Sequence, residues 1–106
     1  MTDRAQNAPR PERLEAVVHG RVQGVGFRFF VLRVADGLPI SGWVANESDG
    51  TVRCVAEGSR ADLERLLAAL RKGPAGAVVG NVTEHWTPAR GGMDGFGVRP
   101  SGHRGD

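Results

Sequence analysis

With 106 residues, 40% of them hydrophobic and 25% charged, the chain has the composition of a globular protein and room for one domain. Its formal net charge is +2, and its 14 basic and 12 acidic residues are interspersed, so it lacks the basic blocks with which proteins bind nucleic acid. It has no apolar run long enough to span a membrane, and its polar N-terminus and single cysteine lead us to expect a cytoplasmic protein without nucleic-acid or membrane partners.

The two ends of the chain differ in composition from the rest. Residues 1–12 are mostly polar and contain prolines, and residues 101–106 are small or charged. Both segments are predicted to be disordered tails. One folded domain is therefore expected over residues 13–100.

A strand and a helix are predicted on either side of a glycine-rich loop. Apolar and polar residues alternate over residues 14–18, which is typical of a strand. Helical spacing then relates Phe27, Phe30, Val31 and Val34. Since Phe29 and Phe30 are adjacent, one must face away from the core, and this spacing favours Phe30 as the buried one.

Further elements follow in the order strand, strand, helix, strand, with a short fifth strand at the end. Residues 42–46 and 51–57 are predicted strands joined by a short turn, and Trp43 is expected in the core. Ser59 and Asp62 form a capping box before a second helix that ends at Lys72. Two more strands are predicted over residues 77–86 and 96–99.

The order βαββαβ predicts an α+β fold of the ferredoxin-like type, a sandwich in which two helices cover one face of an antiparallel sheet. This fold carries binding modules, metal carriers and enzymes, so the fold by itself does not decide the function. The function has to be argued from particular residues.

The loop between the first strand and the first helix is a candidate phosphate site. It comprises Gly20, Arg21, Val22, Gln23, Gly24, Val25 and Gly26. Its glycines allow successive backbone N–H groups to converge on one oxyanion, and the N-terminus of the next helix adds its own free N–H groups. Arg28 lies in the first helical turn, where a cation is unfavourable unless an anion also binds there. The alternative is a glycine-rich turn that binds nothing and leaves Arg28 solvated.

Two longer motifs together resemble those of the acylphosphatase family. The first has the form GxVQGVGFR and is matched by residues 20–28, and the second has the form GWVxNxxDGxV and is matched by residues 42–52. The resemblance extends over about residues 13–100. It implies that Arg28 binds the substrate phosphate, that Asn46 orients the attacking water and that the loop contributes backbone amides. The chain departs from the family pattern at residues 91–94, which predict a loose last loop.

This resemblance implies an acylphosphatase that converts a small acyl phosphate and water into a carboxylate and inorganic phosphate. A carboxylate leaves without a general acid at neutral pH, so catalysis needs mainly positioning and charge stabilisation. We expect Asn46, at the end of a strand beside the first strand, to hold the water in line with the scissile bond. Because asparagine is too weak a base, a phosphate oxygen of the substrate is expected to take the proton. The expected enzyme is a monomer without metal or cofactor, and its product phosphate is an expected inhibitor.

Other patterns in the sequence suggest other functions, and the residues argue against most of them. Cys54 and Arg60 have the CxxxxxR spacing of cysteine phosphatases, but Cys54 lies within an alternating strand and is expected to be buried. Glu47 and Asp49 could suggest magnesium, but carboxylates in so short a turn usually form the turn. A nucleic-acid module would need aromatic residues, which the strand over residues 51–57 lacks. A phosphate-sensing or interaction module without turnover stays open as the alternative function.

Overall fold

The computed structural model describes residues 10–100. It contains β1 (Glu12–Arg21), α1 (Phe27–Asp36), β2 (Ser41–Asn46), β3 (Val52–Gly58), α2 (Arg60–Lys72), β4 (Val78–Pro88) and β5 (Phe96–Val98). The predicted order of elements is confirmed, as is the ferredoxin-like α+β fold. The tail expected over residues 101–106 lies outside the described residues, as does the tail over residues 1–12 apart from its last three. Of those, Glu12 already belongs to β1, where it pairs with Gly58 and Pro88.

The strands form one five-stranded sheet in the order β4-β1-β3-β2-β5. The first four pair antiparallel, but β5 pairs parallel with β2, so the prediction of an antiparallel sheet was wrong at this edge. The reason is chain direction: β4 runs opposite to β2, and the connection after β4 reverses the chain while crossing to the far edge. The expectation that the strand carrying Asn46 lies beside β1 was also wrong, because β3 lies between them.

The core lies between the sheet and the two helices. Alternate residues of β1 face the apolar side of α2, where Leu63, Leu66, Leu67 and Leu70 are fully buried. Each such side chain stabilises the fold by about 1.5–3 kcal/mol relative to exposure. In α1, Phe27 is buried and meets Phe30 edge to face at 5.9 Å between ring centroids. As predicted, Phe30 packs on the core and Phe29 faces away. Neither helix in residues 10–100 has the length and apolarity to cross a membrane.

The opposite face of the sheet carries charged and aromatic side chains. Glu15 accepts from Arg53 at 2.8 Å and from Arg13 at 3.3 Å. Trp43 lies on this face beneath the guanidinium of Arg99, which is 4.4 Å from the ring centroid. The expectation that Trp43 belongs to the core was therefore wrong. Its neighbour Val44 takes the core-facing position, and side chains alternate between faces along a strand.

The crossing connection after β4 is fixed at its start by a buried carboxylate. Glu57 is only 6% exposed and accepts from the backbone N–H groups of Arg90 and Gly91, both at 2.9 Å. Arg13 donates to the same carboxylate at 3.1 Å. Burial by itself raises the pKa of Glu57, but the two backbone hydrogen bonds and Arg13 together hold it below its ordinary value. The predicted loose loop is thus anchored where residues 91–94 begin.

Candidate active site

The first residues of the predicted phosphate loop belong to the sheet. Gly20 and Arg21 end β1 and pair with Val79 and Val78 of β4, next to an irregularity in the strand register. Gly20 has φ +130°, and a Cβ atom there would lie 2.2 Å from the carbonyl oxygen of Val78. Glycine is therefore required by the close approach of the two strands. Neither Gly20 nor Arg21 lines the pocket that contains Arg28 and Asn46.

A small pocket of about 110 Å³ lies at the end of the sheet where β1 and β2 both terminate. That volume corresponds to three or four waters at about 30 Å³ each, which is the size range of one phosphoryl group. Its lining residues are Val22, Gly24, Gly26, Phe27, Arg28, Phe29 and Asn46. The pocket thus brings together three residues of the predicted loop with both side chains predicted to act on the substrate.

The N-terminus of α1 opens into this pocket with its backbone donors unused. The N-cap is Gly26 at φ +80°, which contributes no side-chain cap, and the first turn contains no acidic residue. Within residues 10–100, the N–H groups of residues 24–29 have no hydrogen-bond acceptor. Because these donors lie at the positive end of the helix dipole, the pocket favours an anion.

Arg28 adds a full positive charge to this helix terminus. Its side chain is half-buried and forms no ion pair with any carboxylate of the described chain. By contrast, Arg13 and Arg53 are both paired with Glu15. The guanidinium of Arg28 is therefore available for two parallel hydrogen bonds to the oxygens of a phosphoryl group.

Asn46 reaches the same pocket from the last position of β2. Because β3 separates β1 from β2, the ends of the two strands are about 10 Å apart, two interstrand spacings. The glycine-rich loop that follows β1 reaches across this distance, because Gln23 contacts the hairpin after Asn46. The Asn46 side chain has no hydrogen-bond partner among the described residues, so its amide can bind a water or a substrate oxygen.

The side chain of Gln23 fixes the loop to the hairpin that follows Asn46. Its Nε2 donates to the carbonyl oxygen of Glu47 at 2.8 Å and to that of Thr51 at 2.9 Å. Sequence reasoning assigned Gln23 to the loop for its backbone and missed this contact. The signal in the sequence that could have indicated this contact is a polar side chain with two N–H donors among valines and glycines.

The carboxylate of Asp49 is used within the hairpin turn. It accepts from the N–H of Thr51 at 3.0 Å and from its Oγ1 at 2.6 Å, and these two contacts hold the pKa of Asp49 below its ordinary value. Glu47 closes the turn by donating its N–H to the carbonyl of Thr51 at 2.9 Å. These contacts agree with the turn-forming alternative, and they fix the backbone directly after Asn46.

Cys54 takes no part in a site. It is buried in the core, where burial raises the pKa of its thiol to about 12, so the nucleophilic thiolate is not populated near neutral pH. Arg60, the second member of the cysteine-phosphatase spacing, pairs instead with Glu12 at 3.1 Å and Glu64 at 3.0 Å. The expectation of a structural Cys54 is confirmed.

Comparisons with known proteins agree with this geometry. A sequence model of the acylphosphatase family matches residues 14–98. The acylphosphatase of Salinibacter ruber is 49% identical over 88 residues, which are 83% of this chain and 93% of that protein. The acylphosphatase of Syntrophotalea carbinolica is 46% identical over 90 residues, 85% of this chain and 98% of that protein. The crystal structure of the Bacillus subtilis acylphosphatase matches with a TM-score of 0.80 and 34% identity, over 83% of this chain and 98% of that one.

Proposed function

The chain belongs to the acylphosphatase family, and from this membership we propose that it hydrolyses the carboxyl–phosphate bond of small acyl phosphates. The products are a carboxylate and inorganic phosphate. The observation that carries the mechanism is that Arg28, the free amides of the α1 N-terminus and Asn46 share one pocket of about 110 Å³. Membership supports the activity, and the pocket supports the roles of the individual residues.

The phosphoryl group binds at the N-terminus of α1. Unused N–H groups of residues 24–29 donate to its oxygens, and the guanidinium of Arg28 contributes two further donors. The N–H groups of residues 27–29 are held by the helix backbone before substrate arrives. They therefore stabilise the charge that spreads over the phosphoryl oxygens in the transition state without reorganising.

Water attacks the phosphorus from the side of Asn46, in line with the bond to the acyl oxygen. The amide of Asn46 can both accept from and donate to this water, which fixes its direction. Gln23 and the hairpin contacts of Asp49 hold the backbone that directly follows this position. Asn46 therefore positions the water but takes no proton.

The proton of the attacking water passes to a phosphoryl oxygen of the substrate. None of the seven residues lining the pocket is Asp, Glu, His or Cys, so the pocket offers no side chain that titrates near neutral pH. For the same reason it offers no anionic ligand to a divalent cation, and we propose a metal-independent reaction. The leaving carboxylate is a weak base and departs unprotonated.

The test is hydrolysis of benzoyl phosphate in the presence of EDTA, followed by its ultraviolet absorbance. Arg28→Ala is expected to lower kcat/KM by about a thousandfold and Asn46→Ala to lower kcat by about a hundredfold. Arg60→Ala, a first-turn arginine of α2 that already has carboxylate partners, serves as the matched control and is expected to retain activity. A folded native protein without turnover would favour the phosphate-sensing or interaction module, and full activity in either site variant would contradict its proposed role.

Inorganic phosphate should compete with the substrate, because it presents the same oxygens to the same amides. We further propose that the protein is cytoplasmic, for which the buried, unpaired Cys54 is the supporting observation, and that it is a monomer. Light scattering at working concentration tests the monomer, and a mass of twice the chain would contradict it.

A further inference from the structure

Phe29 has an exposure that neither the core nor the phosphate chemistry explains. Its side chain is 69% exposed, although its neighbours Phe27 and Phe30 both pack on the core. At the same time, Phe29 lines the pocket that contains Arg28 and Asn46. Because it belongs to the lining of a pocket whose other groups are suited to an anion, this exposed apolar side chain is available to contact an apolar part of a ligand.

The other residues of the pocket offer little apolar surface to a ligand. Val22 is 1% exposed and Phe27 is 2% exposed, so both are already covered by the core. Gly24 and Gly26 have no side chains. Phe29 is thus the lining side chain that keeps a large apolar surface in solvent.

The shape of an acyl phosphate decides which part of it reaches this surface. A pocket of about 110 Å³ matches the size of the phosphoryl group and the attacking water. With the phosphoryl group against the amides of α1, the acyl group projects out across the mouth. Phe29, in the first turn of α1 and next to Arg28, is the exposed apolar residue of the pocket lining.

We propose that Phe29 contacts the acyl group and makes this enzyme selective for acyl phosphates with apolar, above all aromatic, acyl groups. This inference rests on the proposed function and adds a specificity residue on the carbon side of the scissile bond. A flat aromatic acyl group stacks on the phenylalanine ring, whereas an acetyl group has too little surface to benefit. Such a contact is made equally in the ground state and the transition state, so it acts on KM.

The experiment compares benzoyl phosphate with acetyl phosphate for the native protein, Phe29→Leu and Phe29→Ala. For Phe29→Ala, we expect kcat/KM to fall about fivefold with benzoyl phosphate, mainly through KM, and to stay within about twofold with acetyl phosphate. For Phe29→Leu, kcat/KM with benzoyl phosphate should lie between the values of the native protein and of Phe29→Ala. Val98→Ala is the control, because it shortens another exposed apolar side chain, which is 44% exposed and lies outside the pocket. It should change kcat/KM for neither substrate.

Inhibition by inorganic phosphate separates an acyl contact from a disturbed helix terminus. Since inorganic phosphate has no acyl group, its inhibition constant should be the same in the native protein and in Phe29→Ala. Equal losses for both substrates, a parallel loss of phosphate inhibition, or no loss with benzoyl phosphate would each overturn the inference. Hydrolysis of acetyl phosphate by the native protein reports on the proposed function alone, so failure of that function is recognised separately.

Discussion

The two helices of this protein begin in opposite ways. At the start of α2, Ser59 caps the helix by accepting from the N–H of Asp62, and Asp62 places a carboxylate in the first turn. At the start of α1, Gly26 provides no cap, the first turn has no acid, and Arg28 adds a positive charge. One terminus has a side-chain acceptor within the protein, and the other lacks an acceptor in the described chain. The difference means that α1 is stabilised less by its own first turn, and its N–H groups are available to an anionic ligand.

A third group of backbone donors supports this distinction. The N–H groups of Arg90 and Gly91, in the connection after β4, are bound by the carboxylate of Glu57. The chain therefore supplies an internal acceptor at two places where backbone donors gather, and supplies none at the pocket. The substitutions that follow either place a carboxylate at the start of α1 or remove an internal hydrogen-bonding group. They are ordered from the largest expected effect to the smallest.

Placing a carboxylate at the open terminus should abolish the site. Gly26→Asp puts a negative charge beside the unused N–H groups of α1, at a position where a Cβ atom meets nothing within 4 Å. We expect kcat/KM for benzoyl phosphate to fall by about a hundredfold, because like charges a few ångströms apart near a protein surface repel by several kcal/mol. Inhibition by inorganic phosphate should be lost as well.

Gly26→Asn is the matched control for that change. Asparagine has nearly the same shape and also tolerates the positive φ of +80°, but it carries no charge. Its loss of activity should be less than about tenfold, with phosphate inhibition retained. Equal losses in both variants would mean that the shape of the loop matters and its charge does not.

Removing the acceptor of the crossing connection should lower stability. Glu57→Gln is expected to reduce the free energy of unfolding by about 1.5–3 kcal/mol at pH 7, because hydrogen bonds to an ionised group are lost. Since the folded-state pKa of Glu57 lies below its unfolded value, its contribution is complete above the unfolded pKa, about 4.3, and is lost as the pH falls through the folded-state pKa.

Urea unfolding between pH 7 and pH 3 measures this contribution. The native protein should lose stability as the pH falls below about 4.3, and Glu57→Gln should lose less over the same range. Glu64→Gln removes an exposed carboxylate paired with Arg60 and should change stability by no more than about 0.5 kcal/mol. If the two variants behave alike, Glu57 does not anchor the connection.

Releasing the loop from the hairpin should affect turnover more than phosphate binding. Gln23→Met keeps the length of the side chain but removes both donors to Glu47 and Thr51. We expect kcat to fall about tenfold, because Asn46 is then less well fixed relative to the phosphoryl group, and misplacement of this kind is costly. The inhibition constant for phosphate should change less than threefold, since α1 is untouched. A lower Tm with unchanged kcat would show that Gln23 serves stability alone.

Removing the cap at the start of α2 should lower stability slightly and leave activity unchanged. Ser59→Ala removes the side-chain cap of α2 and is expected to lower the free energy of unfolding by about 1 kcal/mol. Turnover of benzoyl phosphate at 25 °C should equal that of the native protein. Reduced kcat in folded Ser59→Ala would show that α2 contributes to the site, against the distinction drawn between the two helices.

Local patterns in the sequence predicted much of the fold. The capping box at Ser59 and the leucine spacing of α2 predicted that helix because both signals lie within one element. Long-range relations were less accessible. The parallel pairing of β5 depends on a crossing connection, and the placement of Trp43 on the open face depends on which side of β2 meets the helices.

The candidate site shows the same division. Arg28 and Asn46 could be singled out from two motifs, and the structure places both in one pocket. Gly20 looked like part of the anion site, but its conformation serves the close approach of β4. The contacts of Gln23 and Glu57 could not be predicted, because each depends on backbone groups more than 20 residues away in the chain. Residues that bind backbone across the fold leave little trace in local sequence patterns.

The most direct test of the open helix terminus is a titration of the ¹⁵N-labelled protein with inorganic phosphate, followed by amide NMR shifts. We expect shifts concentrated at residues 24–29 and at Asn46, little change at the capped start of α2 around Ser59, and much weaker binding in Arg28→Ala. Shifts of similar size at both helix termini, or none at residues 24–29, would contradict it.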